Sequence, residues 1–365
     1  MRFALYCPNC GYYEKDKDRI GTGGDYYTSA SAGPLLGQLL AFQFCAWFQE
    51  MEQAVGERRF VLLEVGAHDG VLARDILTAI KSHRPAFFER LECFVIEPSL
   101  RRQAWQKATL TEYSDTVRWT ESIPESAGIL LGTSTAANQP ALPGTYTIVF
   151  SNELLDAMPT HRIGWDAHNK HWYEWGVGSK DGQFSWEKMP LTVDLRNGKS
   201  ITERFQITTE LQSVLPDGFT TEVCLEAERW WQAAAELVSA GRLLTFDYGL
   251  EAEEFFAPHR SCGTLRGYYR HHPIEDLLAR PGDQDLTSQV NFSALRQEGE
   301  KRGLRTEFFG TQAQFLTQVF SRLLKDSVRA PAWNSDKVRQ FQTLTHPDHL
   351  GRAFRVLVQA RFGLT

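Results

Sequence analysis

Blocks of apolar and polar positions succeed one another along this chain of 365 residues and predict a series of strands and helices. Short, almost wholly apolar runs predict buried parallel strands, at 60–65, 92–97, 117–120, 145–150 and 242–247. Apolar residues spaced three and four apart predict helices between those runs, at 72–77, about 100–112 and 227–238. The alternation of strand and helix predicts a doubly wound α/β sheet.

The two ends of the chain add a helix and a hairpin to this sheet. A Gly- and Tyr-rich stretch opens the chain, and a stripe of Leu, Phe, Trp and Met from Leu35 to Met51 predicts a helix packed on the core. Apolar runs at about 304–309 and 354–360 predict a closing antiparallel hairpin. Such a hairpin on a parallel sheet is typical of class I methyltransferases. The predicted fold is therefore a Rossmann-like sheet of seven strands whose last hairpin is antiparallel.

Composition and charge narrow the class of protein. Hydrophobic residues make up 42% and charged residues 23% of the chain, as in globular proteins. The formal net charge of −6 argues against a nucleic-acid partner. No apolar stretch of signal-peptide or membrane-spanning length is present, so we expect a cytoplasmic protein.

The cysteines predict neither a disulfide scaffold nor a metal site. The chain has 6 Cys, and they are dispersed. Cys7 and Cys10 have the spacing of a zinc knuckle, but no second pair completes four ligands. We expect reduced thiols and no metal.

The segment that follows the first strand carries the first chemical signal. Glu64-Val65-Gly66 leads to Gly70, and glycine at a strand-to-helix turn lets the backbone approach a ligand. Glu97 ends the next strand, where an acid would meet ribose hydroxyls. A ligand with an adenosine moiety therefore fits the carboxyl ends of these strands.

Two ligands of that kind compete, and a glycine turn without a ligand is a third possibility. Dinucleotides prefer a glycine where this chain has His68, and Asp69 would lie beside their phosphates. S-adenosylmethionine has no phosphate and carries positive sulfonium and ammonium groups. Glu64 and Asp69 suit it as charge partners, so the motif favours S-adenosylmethionine over NAD.

Short sequence segments spread across nearly the whole chain match one known family. They lie at Gly11–Tyr13, Ile20-Gly21, Gly24–Ser29, Glu64–Gly66 with Gly70, Ser151–Pro159, Phe246–Gly249, Gly263–Tyr268 with Arg270-His271, Asp285–Thr287, Val290–Phe292 and Gly310–Gln312. Together and in this order they resemble the MidA-like S-adenosylmethionine-dependent methyltransferases. That family includes the mitochondrial complex I assembly factor that methylates an arginine. The chain departs from the family at Ala30-Ser31, His68 and Gln289.

The resemblance and the motif together give a set of cofactor-binding candidates. Its members lie in the Tyr-rich loop, in the glycine turn or at strand ends: Gly24, Thr28, Ser29, Glu64, Gly66, His68, Gly70, Glu97 and Asn152. His68 would either stack near the cofactor or cap the following helix. The expected cofactor is S-adenosyl-L-methionine.

The catalytic candidates follow the fourth strand. An arginine nucleophile must lose a proton, and a nearby carboxylate would orient the guanidinium and accept that proton. We assign this role to Glu153, with Asp156 and Asn152 in support. Glu153 and Asp156 are three positions apart, so on a helical turn they would share one face. Asp156 could instead cap a helix or pair with an arginine.

Substrate-binding candidates lie at the end of the fifth strand and in a basic cluster, at Asp247, Tyr248, Arg266, Tyr268, Arg270 and His271. The cluster could bind an acidic stretch of a protein substrate or close over the cofactor. A structural turn and a solvated surface cluster are the simpler interpretations.

Two insertions account for the length of the chain. Residues of about 160–225 alternate in polarity and contain the hairpin signals Asp181-Gly182 and Asn197-Gly198, so we expect a β-rich substrate subdomain there. Residues of about 250–300 predict a lid-like insertion of loop and helix. They interrupt a methyltransferase core over 59–365, and residues 1–58 would pack on the cofactor site.

These features predict an S-adenosylmethionine-dependent methyltransferase, and the resemblance implies a protein substrate methylated at arginine. That substrate would be a subunit of a respiratory or other complex. A small-molecule O- or N-methyltransferase and a non-catalytic assembly factor that binds S-adenosylmethionine stay open. The aromatic-rich β insertion suggests a homodimer surface.

Overall fold

A computed structural model describes most of the chain, namely residues 1–15, 29–56, 58–122, 145–192, 200–270, 272–325 and 333–362. Its strands are β1 (Arg59–Val65), β2 (Leu91–Ile96), β3 (Val117–Thr120), β4 (Thr145–Asn152), β5 (His161–Asp166), β6 (His171–Lys180), β7 (Gln183–Met189), β8 (Thr220–Val223), β9 (Gly241–Leu250), β10 (Arg266–Tyr269), β11 (His272–Ile274), β12 (Asp285–Thr287), β13 (Val290–Asn291), β14 (Arg305–Thr311) and β15 (Phe354–Arg361).

The helices predicted at 35–51, 72–77, about 100–112 and 227–238 are among those that the structure describes. The described helices are α1 (Arg2–Tyr6), α2 (Leu35–Val55), α3 (Val71–His83), α4 (Pro85–Phe88), α5 (Leu100–Thr109), α6 (Ile201–Phe205), α7 (Thr209–Val214), α8 (Leu225–Leu237), α9 (Phe292–Lys301), α10 (Gln312–Lys325), α11 (Ser335–Thr345) and α12 (Leu350–Ala353). Short 3₁₀ turns lie at Tyr12–Glu14, Ala30–Ala32, Thr111–Tyr113, Ala252–Phe256 and Pro258–Arg260.

The chain divides into two compact units. The accessory unit comprises Met1–Tyr26, Leu155–Trp230 and Tyr248–Glu298. The central unit comprises Tyr27–Leu154, Trp231–Asp247 and Gly299–Thr365. Most residues of the two predicted insertions belong to the accessory unit, while the predicted domain boundaries stay a prediction.

The central unit is built on one twisted sheet with the strand order β14-β15-β9-β4-β1-β2-β3. β1 pairs in parallel with β2 and β4, β4 pairs in parallel with β9, and β14 pairs antiparallel with β15. This architecture confirms the predicted Rossmann-like α/β fold with its antiparallel last hairpin. β1, β2, β4 and β9 therefore all end at the same edge of the sheet.

Aromatic packing fixes α2 against the sheet. The ring centroids of Phe44 and Phe150 are 5.3 Å apart, and those of Phe48 and Phe60 are 4.7 Å apart. All four side chains are buried. The predicted packing of the Leu35–Met51 stripe on the core is confirmed, because the helix places these rings on one face.

The accessory unit contains two small antiparallel sheets, β7-β6-β5-β8 and β11-β10-β12. The turn between β6 and β7 has φ of 51° at Asp181 and 78° at Gly182, as a tight hairpin turn requires. The second hairpin signal, Asn197-Gly198, lies outside the described residues. The second insertion holds strands as well as the predicted loops and helix.

A capping box begins α6. The Ser200 side chain accepts a hydrogen bond from the Glu203 N–H at 3.2 Å, and the Glu203 carboxylate accepts one from the Ser200 N–H at 2.7 Å. We expect Ser200→Ala to lower the free energy of unfolding of this unit by about 1 kcal/mol, because one N-terminal helix donor loses its acceptor. Urea unfolding measures this, with the exposed Ser185→Ala on β7 as the control. Equal stability of both variants would contradict the role of the cap.

None of the helices in the described part of the chain is long and apolar enough to cross a membrane.

Candidate active site

A glycine turn follows β1 at the carboxyl edge of the central sheet. Gly66 has a φ of 72°, and a Cβ there would lie 2.7 Å from Leu154 Cδ1. Gly70 has a φ of 82°, and a Cβ there would lie 3.3 Å from the Cα of Gln106. Both positions combine a left-handed backbone with close packing, so both favour glycine.

Glu64 lies at the end of β1, and its side chain is buried. Within the described residues, Oε2 of Glu64 has no hydrogen-bond partner. Burial raises the pKa of this carboxyl to about 8, and the charge of Asp69 adds to the effect. A buried carboxyl with an open acceptor fits a cationic group of a ligand, because pairing offsets the cost of its burial.

His68 and Asp69 occupy the middle of the glycine turn. His68 has a φ of 48°, and its Nδ1 lies 3.7 Å from Oδ1 of Asp69. The same Asp69 oxygen accepts the Val71 N–H at 3.1 Å, at the start of α3. Burial opposes ionisation of Asp69, but the neighbouring His68 side chain and hydrogen bonds from backbone N–H groups bring its pKa below the ordinary value. Asp69 therefore brings a negative charge to the turn.

Glu97 follows β2 and belongs to a hydrogen-bond network. Its Oε1 accepts the Ser99 N–H at 3.0 Å, and its Oε2 accepts Nε2 of Gln106 at 3.1 Å. The same Gln106 nitrogen donates to the His68 carbonyl at 3.0 Å, and Trp119 Nε1 donates to Gln106 Oε1 at 3.0 Å. Gln106 thus ties the end of β2 to the glycine turn. A glutamine in the middle of a helix gave no sequence signal for this role.

Glu153 follows β4 in a left-handed conformation, with a φ of 53°. Its Oε1 accepts the Ser29 N–H at 2.7 Å and Nδ2 of Asn152 at 3.0 Å. Burial raises the pKa of Glu153 to about 8; the hydrogen bonds from Ser29 and Asn152 oppose this shift, and the charge of Asp247 adds to it. A non-glycine residue at positive φ is strained, and such strain clusters at functional sites.

Asn152 and Asp247 complete the surroundings of Glu153. Oδ1 of Asn152 is buried and has no hydrogen-bond partner within the part of the chain that is described. Asp247 is fully buried, and its Oδ2 accepts the Leu154 N–H at 3.1 Å. Asp247 therefore holds the peptide that directly follows Glu153.

One sequence-based expectation about this loop is wrong. Residues 153–156 form bends and a turn rather than a helix, so Glu153 and Asp156 do not share a helical face. The left-handed backbone of Glu153 ends β4 without starting a helix. Asp156 belongs to the accessory unit, where it is buried and its carbonyl accepts the Ser288 N–H at 2.9 Å.

The substrate-binding candidates other than Asp247 also belong to the accessory unit. Nη1 of Arg266 donates to the carbonyl of Leu265 at 2.8 Å, and Tyr268 lies half-buried on the same strand. Arg270 has a φ of 50° and lies 5.1 Å over the ring of Tyr269. Tyr248 is half-buried at the end of the long strand β9. These four assignments stay predictions.

The central unit brings together most of the remaining candidates, namely Ser29, Glu64, Gly66, His68, Gly70, Glu97, Asn152, Glu153 and Asp247. Gly24, Thr28 and His271 lie outside the described residues. No group of three or more His, Cys, Asp or Glu side chains suited to a metal ion occurs among the residues that the structure describes.

The chain is similar in sequence to known methyltransferases. A family model described as "Putative S-adenosyl-L-methionine-dependent methyltransferase" matches residues 39–310. The chain is 27% identical to the Drosophila melanogaster protein arginine methyltransferase NDUFAF7 homolog, mitochondrial, over 98% of this chain and 79% of the relative. It is 26% identical to protein arginine methyltransferase NDUFAF7, mitochondrial, of Rattus norvegicus, over 97% of this chain and 78% of the relative.

A solved structure agrees with these relatives. A Burkholderia thailandensis protein, crystallised with S-adenosyl-homocysteine, superposes with a TM-score of 0.77 at 25% identity, covering 100% of this chain and 87% of that chain.

The names of the curated relatives contradict one expectation. Those relatives are mitochondrial proteins, so the cytoplasmic location predicted from the sequence is wrong by this comparison.

Proposed function

Because the chain belongs to the family of S-adenosyl-L-methionine-dependent methyltransferases, we propose that it methylates an arginine side chain of a protein. Family membership confirms the resemblance seen in the sequence strings, and with it the cofactor and the enzyme class. The names of the curated relatives support the arginine and the protein substrate.

The residues at the carboxyl edge of the central sheet fit S-adenosylmethionine. The open, buried Oε2 of Glu64 suits a cationic group of the cofactor. Gly66 and Gly70 leave the two ends of the turn without side chains, so the backbone there can approach a ligand. We assign cofactor binding to Glu64, Gly66, His68, Gly70 and Glu97, with Ser29 and Asn152 beside them. The bound cofactor supplies a methyl group activated by its sulfonium.

The observation that carries the proposal is the half-buried Glu153, whose carboxyl is held by the Ser29 N–H and by Asn152. Transfer forms a carbon–nitrogen bond as the carbon–sulfur bond breaks, and the methylated guanidinium must give up one proton. Guanidinium has a pKa above 12, so this proton needs a well-placed acceptor. Once it is ionised, Glu153 is a better proton acceptor than an exposed carboxylate, because its pKa is raised to about 8.

The same carboxylate can orient the substrate. Arginine presents a planar set of N–H donors, and a fixed carboxylate binds two of them in parallel. Ser29 and Asn152 both bond to Oε1, so the plane of the Glu153 carboxylate is set before substrate arrives. Preorganised groups of this kind lower the cost of aligning the nucleophile.

Asp247 acts in this proposal as a positioning residue. Its charge contributes to the raised pKa of Glu153, and its Oδ2 holds the Leu154 N–H. We expect Asp247→Asn to shift the acid limb of the pH–rate profile to lower pH, because a negative charge near Glu153 is lost. Loss of a proton acceptor lowers a rate by about 10²-fold or more, and the maximal rate should fall by less than that. The reason is that the amide oxygen of the substituted residue can still accept the Leu154 N–H. An unshifted profile would contradict this role.

A labelled-methyl experiment tests the class of substrate. The protein is incubated with methyl-labelled S-adenosylmethionine and a cell lysate, and acid-precipitated protein is separated from small molecules. We expect label in the protein fraction. Label confined to small molecules would favour the rival O- or N-methyltransferase, and cofactor binding without any transfer would favour a non-catalytic assembly factor.

The finer predictions about partners rest on the sequence alone. A substrate within a respiratory or other complex and a homodimer formed through the β-rich insertion stay predictions, as do the roles of Asp156, Tyr248, Arg266, Tyr268 and Arg270. The acidic net charge of −6 suits a cationic cofactor and a cationic substrate better than a nucleic acid.

A further inference from the structure

Two thiols lie together at the start of the accessory unit, in the turn Cys7-Pro8-Asn9-Cys10 that follows α1. The Cys10 N–H donates to the Cys7 carbonyl at 3.2 Å, and the Gly11 N–H donates to the same carbonyl at 2.7 Å. A turn with an i to i+3 hydrogen bond keeps its end Cα atoms within about 7 Å. A disulfide requires Cα atoms about 4.4–6.8 Å apart, so this turn holds the two cysteines near bonding range.

The two thiols also affect each other's pKa. The neighbouring Cys10 side chain lowers the pKa of Cys7, and backbone N–H groups of Asn9 and Cys10 add to this effect. The same interaction raises the pKa of Cys10. Cys7 is therefore the thiol that ionises more easily and attacks first, and Cys10 stays protonated as the second thiol of the pair. Cys7 is half-buried and Cys10 is exposed, so a small reagent can reach both.

Buried and hydrogen-bonded residues on both sides of the turn hold it in place. Leu5 and Tyr12 flank it and are buried with Leu286 in one small cluster. The Tyr13 hydroxyl donates to Oδ1 of Asp285 at 2.8 Å. A Cβ at Gly11 would lie 2.5 Å from the Cys7 nitrogen, so the chain turns back tightly against itself here. Packing on both sides of the turn therefore holds its backbone in place.

The other cysteines differ in their surroundings. Cys45 and Cys93 are buried, and Cys224 is half-buried with its thiol 3.6 Å from the Pro159 carbonyl. Cys262 is exposed but has no cysteine near it in sequence. Cys262 therefore provides an internal control for simple exposure.

We propose that Cys7 and Cys10 form a redox-active dithiol that exchanges with small disulfides such as glutathione disulfide. The Cys7 thiolate attacks one sulfur of glutathione disulfide, so a mixed disulfide forms and one glutathione thiolate leaves. The Cys10 sulfur then attacks Cys7, the intramolecular disulfide forms, and the second glutathione leaves. Two protein thiols are oxidised, one glutathione disulfide is reduced, and the two thiol protons end on two glutathione molecules.

Peptide mass spectrometry after alkylation tests the proposal on the full chain. The reduced protein is exposed to glutathione disulfide, quenched with acid and alkylated with N-ethylmaleimide. We expect a peptide in which Cys7 and Cys10 have lost two hydrogens and carry no alkyl group, and excess reduced glutathione should reverse this. Cys10→Ser should stop at one glutathione on Cys7. In the Cys7→Ser protein, Cys10 should react with glutathione disulfide no faster than Cys262 does.

Cys262→Ser is the matched control, and it should oxidise at Cys7 and Cys10 as the parent chain does. Each variant is compared with the parent by circular dichroism, so that loss of fold is separated from loss of chemistry. Two outcomes would overturn the proposal. In one, N-ethylmaleimide still alkylates both Cys7 and Cys10 when glutathione disulfide has already reacted with Cys262. In the other, a mixed disulfide with glutathione forms on Cys7 and never converts to the Cys7–Cys10 disulfide.

Discussion

Glu153→Gln should lower the rate of methyl transfer by about 10²–10⁴-fold, the range that general-base catalysis supplies. The substitution preserves the shape of the side chain, and an amide oxygen can still accept the Ser29 N–H and the Asn152 amide. It removes the negative charge and the ability to take a proton. Cofactor affinity, measured by calorimetry with S-adenosylmethionine, should change little because the charge that we assign to the cofactor belongs to Glu64.

A matched control separates this effect from a general loss of acidic charge. Glu92 lies at the start of β2, at the opposite edge of the sheet, where Arg59 pairs with it at 3.3 Å. Glu92→Gln should leave the transfer rate and the cofactor affinity nearly unchanged, because exposed ion pairs contribute little. Normal turnover by the Glu153→Gln protein would refute the role of Glu153.

Glu64→Gln should weaken the binding of S-adenosylmethionine by about 10–100-fold, the equivalent of about 1.5–3 kcal/mol for a hydrogen bond to a charged group. The buried Oε2 of Glu64 has no partner within the described residues and would receive a cationic group of the cofactor. Calorimetric titration of both proteins measures the difference, again with Glu92→Gln as the control.

The pH dependence of binding sharpens the Glu64 prediction. Its pKa is raised to about 8 by burial, so below that pH the cofactor-free carboxyl is mostly protonated and must ionise to pair with a cation. Affinity should therefore increase as pH rises toward about 8, by at most tenfold per pH unit, and Glu64→Gln should lose this dependence. A parent affinity that does not vary with pH would contradict the pairing.

Linkage gives the same carboxyl an effect on stability. Its pKa is about 8 in the folded chain, against a reference value of 4.5. The folded state therefore holds the proton more tightly, and this contribution to the stability of the cofactor-free protein is lost as pH rises from about 4.5 through 8. Glu64→Gln should flatten that decline, which urea unfolding at several pH values would measure.

The sheet and its glycine turn were predictable because buried parallel strands leave a strong signature. Nearly continuous apolar runs such as Phe60–Val65 have few other structures to adopt, and the first two runs are followed by helical spacing. The glycines of the turn were also readable, since a positive φ at Gly66 and Gly70 excludes most other residues. Glu64 and Glu97 were then placed by their positions at strand ends.

The surroundings of Glu153 were not predictable in the same way. Spacing of three residues suggested a helical face for Glu153 and Asp156, but a left-handed residue after β4 prevents that turn. The contact of the Ser29 N–H with Glu153 joins positions 124 residues apart, and no local pattern encodes it. The same holds for the bond from the Leu154 N–H to Asp247, and for Gln106, whose three contacts depend on the tertiary fold.

The central claim is that this enzyme places a methyl group on arginine, and one measurement tests it most directly. Protein labelled by the enzyme with methyl-labelled S-adenosylmethionine is digested, and mass spectrometry locates the added methyl groups. The account predicts methyl groups on arginine side chains, formed by the parent protein and strongly reduced with Glu153→Gln. Methyl groups on lysine or on carboxyl side chains, or equal labelling of arginine by both proteins, would contradict it.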